Sequence, residues 1–207
     1  MFRLRGRLMA ATALVALAGW SAGAAGASME DVRARITAGA VIRSQFTQTR
    51  TLPALSRPQV ARGRVLISRA DGIVWSIEQP SRLAYLMQPD GVSELAADGT
   101  RLRRDAGNSV MARIGRILGA LLTADAAAIG EDFQVEAEVS GRTWQVTLTP
   151  RSTALAQRLK GIRISGGEFV ERVQIDAAGD DVTRIEFRDQ SSGAELNPDE
   201  RRLFGAH

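Results

Sequence analysis

Near the start of the chain, apolar residues recur at helical spacing. Ser28 stands three residues before Asp31, and a serine and an acid at this distance can cap a helix N-terminus with reciprocal hydrogen bonds. The pattern predicts a short amphipathic helix that ends near Gly39. Its apolar side consists of Met29, Val32, Ile36 and Ala40.

Beyond this helix the apolar period changes to two, which is typical of strands. The first alternating segments are 59–69, 72–78 and 83–88, separated by the turn signals Asp71-Gly72 and Gln79-Pro80-Ser81. Later alternating segments are 133–139, 143–149, 162–165, 170–176 and 182–188. Turns this closely spaced leave no room for crossover helices, so the pattern predicts an antiparallel meander of about ten or eleven strands.

One segment, 109–129, interrupts the strand pattern with a second run at helical spacing. Arg113 and Arg116 occupy its other sides. Two interpretations are open, because the segment could be ordinary core against the sheet or a cover over an apolar face. Shorter helical turns are predicted near 152–159 and after Asn197-Pro198. The apolar positions of the long segment are Val110, Ile114, Ile117, Leu118, Leu121 and Leu122.

The first 27 residues have the layout of a cleavable secretory signal. Arg3, Arg5 and Arg7 precede an apolar run over 8–20, and small residues follow up to Ala27. The run is about 13 residues long, short of the roughly 20 that a membrane-spanning helix needs. We therefore expect a signal peptide over 1–27, a single domain over 28–207, and a soluble exported protein.

Composition narrows the possible functions. The chain has no cysteine, so it forms no disulfide and uses no thiol chemistry. Three of the 27 basic residues lie in the leader, which leaves 24 against 23 acids, and the high pI of about 10.7 reflects arginine in place of lysine. No basic stripe is interleaved with aromatic residues, so we expect no nucleic acid partner.

Catalytic motifs are sparse. The single histidine is His207, which excludes Ser-His and Cys-His pairs and histidine metal sites. A glycosidase built on two carboxylates is a further alternative, although any sheet protein offers such acids. We expect a protein without catalysis, cofactor or metal. The acids that folding could bring together are Glu78, Glu94, Asp98, Glu131 and Asp132.

Two neighbouring strands carry apolar residues on alternate positions. Val65, Ile67 and Arg69 share one face, and Trp75 shares a face with Ile73 and Ile77. If these faces point inward, Arg69 lies at the rim of an apolar concavity and needs partners such as backbone carbonyls. If they do not, Arg69 simply ends its strand in solvent.

The order and spacing of these residues resemble the LolA family of periplasmic lipoprotein carriers. Phe46-Thr47-Gln48 is followed by Gly63, by Arg69 six residues later, by Trp75 six residues further on, and then by Gln79-Pro80. The run from Trp144 to Pro150 also looks like the family's strand that ends in Leu-Thr-Pro. Ala70, where members often carry proline, and a short tail after Arg188 are departures that leave a dedicated glycolipid or pigment-lipid carrier open.

The resemblance implies a mainly β fold, an unclosed antiparallel β-barrel whose concave apolar face is covered by an amphipathic helical lid. It also implies a carrier of lipoprotein acyl chains that takes cargo from an inner-membrane ABC exporter of the LolCDE type and delivers it to an outer-membrane receptor of the LolB type. We expect a periplasmic monomer with Arg69 in lid control. A lipid-responsive sensor on the same fold is the alternative. The expected cavity residues are Phe46, Val65, Ile67, Trp75, Ile77, Ile114, Leu118 and Leu121.

Overall fold

Eleven strands in the described part of the chain pair in one antiparallel sheet. The computed structural model describes residues 27–36, 39–88, 91–96, 99–105, 117 and 129–205. The strands are β1 (Val41–Thr51), β2 (Gln59–Ser68), β3 (Gly72–Gln79), β4 (Leu83–Gln88), β5 (Gly91–Leu95), β6 (Arg101–Asp105), β7 (Phe133–Ser140), β8 (Thr143–Pro150), β9 (Leu159–Gly166), β10 (Val170–Ala177) and β11 (Val182–Gly193).

The strand order makes β6 and β7 the two edges of the sheet. The order is β6-β5-β4-β3-β2-β1-β11-β10-β9-β8-β7, so every neighbouring pair except β1 and β11 is a hairpin of consecutive strands. The two edge strands follow one another along the chain but do not pair, so the barrel is unclosed. The predicted antiparallel meander of ten or eleven strands is confirmed, and β1 is a strand that the sequence patterns did not single out.

Contacts between distant strands show that the sheet is strongly curved. Trp75 lies on β3 and Phe187 on β11, three strand spacings apart, which would be about 14 Å in a flat sheet. Their ring centroids are nevertheless only 6.0 Å apart. The sheet therefore wraps around the side that carries these rings, which we call the inner face; the opposite side is the outer face.

Three short helices lie wholly within the described residues, each where a helix or helical turn was predicted: α1 (Met29–Arg33), α2 (Thr153–Ala156) and α3 (Pro198–Leu203). Ser28 and Asp31 form the predicted capping box at α1. The expected extension of α1 to Gly39 is wrong. Arg35 and Ile36 donate their backbone N–H groups to carbonyls only three residues back, so the chain tightens into a turn and leaves the helix.

The inner face holds the main apolar core. Val32 and Ile36, from α1 and the turn after it, pack into this core together with residues of the strands. Most of the segment 109–129, including its predicted helix, lies outside the described residues. Of its apolar positions, Ile117 is described, is helical and is buried in the same core, as is Ile129 at the end of the segment.

A second, smaller core lies on the outer face under the C-terminal segment. Glu200 of α3 receives hydrogen bonds from the Nε and Nη2 atoms of Arg43 at 2.6 and 2.7 Å. This ion pair fixes α3 against β1. The buried residues beneath it are Val41, Leu66, Val74, Leu86, Leu95, Leu196 and Phe204.

Candidate functional site on the inner face of the sheet

Cross-strand pairing sorts the inner-face side chains of β1 to β5 into rows. A fully apolar row is Ile42, Ile67, Ile73, Met87 and Val92. The next row is Ser44, Val65, Trp75, Tyr85 and Glu94, so it is apolar in the middle and polar at both ends. Strand alternation alone puts these residues on one side, since successive side chains point to opposite faces.

The other half of the sheet supplies a matching apolar lining. Because of the curvature, this lining faces the rows of β1 to β5, and both belong to one apolar cluster. Residues on β8 to β11 that take part are Trp144, Val146, Leu148, Ile162, Ile164, Val173, Ile185 and Phe187.

Trp75 lies at the centre of this surface and is 0% exposed. Its ring centroid is 4.2 Å from that of Phe46 and 6.0 Å from that of Phe187, which it meets edge-on. Its Nε1 atom is buried and has no hydrogen-bond acceptor among the described residues. The other described tryptophan, Trp144, donates its Nε1 proton to the carbonyl oxygen of Gly167 at 2.8 Å.

Gly63 permits the close approach of strands beside Trp75. It pairs with Phe46 on β1 and with Ile77 on β3, and the register shifts by one residue next to it. A Cβ atom at this position would lie 1.9 Å from the carbonyl oxygen of Ser76. A side chain here would force β2 and β3 apart. Only glycine therefore fits at this position of the sequence motif.

Arg69 lies just beyond the end of β2 and is exposed. Its Nε atom donates to the carbonyl oxygen of Gly39 at 3.0 Å, and its backbone N–H donates to the carbonyl oxygen of Ala40 at 3.0 Å. Both acceptors belong to the connection between α1 and β1. The side chain therefore ties the rim of the inner face to the segment that follows α1. A backbone carbonyl is the kind of partner expected for Arg69 if it lies at the rim of an apolar concavity.

Tyr85 lies next to Glu94, one of the two polar ends of the central row. It pairs with Trp75 on one side and with Glu94 on the other. Burial raises the pKa of the Tyr85 phenol above its ordinary value, and the negative charge of Glu94 adds to the rise. Tyr85 is the one tyrosine in the sequence, so its titration can be followed directly.

The structure brings together five of the residues expected in the cavity. Phe46, Val65 and Trp75 are buried in the main cluster, and Ile67 and Ile77 are half-buried against it. Ile114, Leu118 and Leu121 lie outside the described residues. Sequence reasoning missed the contribution of Phe187 and Tyr85. The alternation of apolar residues predicts which residues share a side of the sheet, but it does not predict which distant strand packs against that side.

Two of the acids considered for a carboxylate pair, Glu78 and Glu94, lie on opposite faces of the sheet, and Asp98 lies outside the described residues. Glu78 lies on the outer face, where it forms an ion pair with Arg64 at 2.6 Å. Glu94 lies on the inner face in the row of Trp75. The sheet stands between these two carboxylates, so they cannot act on the same bond.

A shallow groove of about 400 Å³ on the outer face is a weaker candidate site. It is lined mainly by polar residues of β8 to β10, including Thr147 and Thr149. Its charges already pair with one another, since Arg163 contacts Asp176 at 3.0 Å and Lys160 contacts Asp180. The inner face, with its buried apolar cluster and the unpaired donor of Trp75, is the better candidate.

Comparison with known families decides the assignment. The family model described as "Outer membrane lipoprotein carrier protein LolA" matches residues 40–200. The chain belongs to the LolA family. The curved, unclosed sheet is accordingly a LolA-like fold, and membership of the LolA family indicates a binding protein of the lipid- or lipoprotein-carrier type. None of the helices in the described ranges has the length and apolar character of a membrane span.

Solved structures similar to this LolA-family chain are distant. A LolA superfamily protein from Nitrosomonas europaea is 11% identical, with 83% of this chain and 93% of that chain covered and a TM-score of 0.48. A DUF1329 family protein from Desulfovibrio piger is 9% identical, with 82% and 90% covered and a TM-score of 0.44. A chain of the Pseudomonas aeruginosa MucA/MucB complex is 10% identical, with 84% of this chain and 60% of that chain covered and a TM-score of 0.46. No curated protein matches the chain.

Proposed function

We propose that this LolA-family chain is a periplasmic carrier that holds lipoprotein acyl chains against the inner face of its sheet and moves them from the inner to the outer membrane. The observation that supports the proposal is the apolar inner face itself. Two opposed halves of one curved sheet present Ile, Val, Phe and Trp side chains to each other around Trp75. Such a surface matches the chemistry of a hydrocarbon chain.

The energetic need for a carrier follows from the hydrophobic effect. Burial of each methylene is worth about 0.8 kcal/mol, so a chain of about 16 carbons forgoes more than about 10 kcal/mol in water. An acyl chain cannot cross an aqueous compartment unaided at that cost. A protein that wraps the acyl chain in an apolar surface removes most of this free-energy cost.

Release is as necessary as binding, and this is the role we assign to Arg69. A hydrogen bond from its guanidinium to Gly39 stabilises the empty, closed arrangement of the rim. Because ligand must compete with this arrangement, net affinity falls and handover becomes possible. Within the proposal, the segment between β6 and β7 forms the lid, with Ile114, Leu118 and Leu121 facing the cavity.

The finer parts of the proposal concern partners and processing. Residues 1–27 are the cleaved signal, and residues 28–207 form one monomeric carrier domain in the periplasm. Cargo comes from an inner-membrane ABC exporter of the LolCDE type and goes to a receptor of the LolB type. No catalysis or cofactor takes part.

A release assay tests the function. Spheroplasts of the source bacterium are incubated with the exported, purified protein, and newly made lipoprotein is followed into the soluble fraction. The expected result is a soluble complex of lipoprotein and carrier, absent when serum albumin replaces the protein. Release of a glycolipid or pigment lipid alone would show that the cargo is a specialised lipid and not a lipoprotein. No release of any lipid would overturn the carrier role.

A further inference from the structure

The indole N–H of Trp75 is a buried donor without an acceptor. The residue is 0% exposed, and its Nε1 atom contacts no oxygen acceptor among the described residues. Leaving such a donor unpaired is unfavourable, and buried tryptophans normally find a partner. A donor kept in this state within a candidate site points to an acceptor that arrives with the ligand.

Trp144 shows that this sheet can satisfy a buried indole when no ligand is involved. It lies in the same apolar cluster and is 2% exposed. Its Nε1 atom donates to Gly167 in the turn between β9 and β10. Trp75 has no comparable carbonyl, because its neighbours in the row, Val65 and Tyr85, direct their backbone groups into the β-ladder.

The aromatic neighbours of Trp75 do not replace an acceptor. Phe46 is tilted against the indole at 37°, and Phe187 meets it at 85°. An N–H group over a ring face is a weak, second-order interaction. These rings instead hold the indole in one orientation, so its N–H keeps a fixed direction within the inner face.

We propose that the Nε1 proton of Trp75 donates to the carbonyl oxygen of a bound acyl ester or amide, so that the site selects acyl groups over plain hydrocarbon and ether-linked chains. This inference rests on the proposed function, since it assumes that lipid chains reach the inner face. It adds a polar selection at the apolar middle of this row. The donor fixes the position of the acyl carbonyl at the centre of the row, with the chain extending over the isoleucines beside it.

A pair of matched lipids tests this inference. Palmitoyl lysophosphatidylcholine carries an ester carbonyl, and its hexadecyl ether analogue has the same headgroup and nearly the same chain without that carbonyl. Binding of each is measured by titration below its critical micelle concentration. The expected preference for the ester is about two- to tenfold, the usual range for one net hydrogen bond.

Two variants separate the donor from the apolar ring. Trp75→Phe keeps an aromatic ring and is expected to bind both lipids equally. Trp144→Phe is the matched control, because its indole already has an internal partner, and it should keep the ester preference. An ester preference that survives in Trp75→Phe would overturn the proposal.

A spectroscopic readout on the unsubstituted protein covers the case in which Trp75→Phe does not fold. In proton–nitrogen correlation spectra, the exported chain without its leader gives two indole signals, one from Trp75 and one from Trp144, assigned with Trp144→Phe. The Trp75 signal should move downfield with the ester and much less with the ether. Equal binding of both lipids with the same shift would overturn the inference alone, whereas binding of neither would overturn the proposed function.

Discussion

The Nε atom of Arg69 lies 3.0 Å from the carbonyl oxygen of Gly39 and donates a hydrogen bond to it. This contact joins the end of β2 to the connection after α1. Val32 of α1 and Ile36 of the turn after it pack into the inner core. In the proposed function, this rim contact controls access to the inner face without being part of the core. It is the contact on which the proposed handover depends.

Replacing Arg69 with leucine should therefore impair transfer and leave the fold intact. The side chain is exposed, so its loss should change the free energy of unfolding by less than about 1 kcal/mol. Transfer of bound lipoprotein to the outer-membrane receptor should fall sharply, measured as cargo moved per unit time. Arg62→Leu, at an exposed position on β2, is the control. Unimpaired transfer by Arg69→Leu would remove the role assigned to Arg69.

Adjacent residues of β3 allow a test of which face binds lipid. Ile77 is half-buried on the inner face, whereas Ser76 points to the outer face beside Arg64. Ile77→Glu places a carboxylate in the apolar site, so affinity for a fluorescent palmitate analogue should fall about tenfold or more, since burying an unpaired charge costs several kcal/mol. Ser76→Glu should bind normally. Equal affinity for the two variants, both shown to be folded, would move the binding site away from the inner face.

Gly63 gives a prediction about stability. Gly63→Ala should destabilise the protein by more than about 2 kcal/mol, because the new Cβ would meet the Ser76 carbonyl oxygen at 1.9 Å. Urea unfolding measures the difference. The control is Gly179→Ala, where nothing lies within 4 Å of the added Cβ. A neutral Gly63→Ala would show that β2 and β3 can separate at no cost.

Individual strands show how much of this fold could be predicted from the sequence. β2 and β3 were predicted to within one residue, because their alternation is regular and turn residues bound them on both sides. β1 was not singled out, because Ser44, Gln45, Thr47 and Gln48 give it polar residues on both faces. Its pairing with β11 joins residues more than 100 positions apart, which no local pattern encodes.

For the candidate site, the sequence predicted which residues share a face of the sheet but not which of them are in contact. The inner-face residues of β2 and β3 could be grouped from alternation, and the family resemblance marked Trp75 and Arg69. The meeting of Trp75 with Phe187 depends on the curvature of the whole sheet, and so does the isolation of its Nε1 atom. The roles of Ile114, Leu118 and Leu121 stay predictions.

The ion pair that fixes the C-terminal helix should depend on pH. The hydrogen bond from Arg43 is the main cause that lowers the pKa of Glu200 in the folded state. A folded pKa below the unfolded value means that the pair stabilises the protein fully above the unfolded pKa, about 4.3, and that this contribution is lost as the pH falls through the folded pKa. Glu200→Gln should thus cost about 1–2 kcal/mol at neutral pH.

Urea unfolding at neutral pH and at a pH of about 3 measures this dependence. The difference between Glu200→Gln and the unsubstituted protein should shrink at the lower pH. Glu195→Gln removes an exposed carboxylate 3.7 Å from Arg201 and should have little effect at either pH. A difference for Glu200→Gln that does not change with pH would contradict the assigned cause.

Tyr85 offers an optical measure of the environment of the inner face. Ultraviolet titration should place its pKa above the ordinary value of about 10, because burial disfavours the phenolate. Glu94→Gln should lower the pKa only in part, since burial is the larger cause and remains. Bound palmitate should raise it further by covering the ring. Titration at the ordinary value would show that this end of the row is open to water.

Native mass spectrometry of the protein isolated from the periplasm tests whether the inner face carries acyl chains through that compartment. We expect a fraction with one lipoprotein or acyl lipid bound per chain, lost in Ile77→Glu and retained in Ser76→Glu. Protein that is always free of lipid, and that takes up no acyl lipid when it is supplied, would overturn the carrier role.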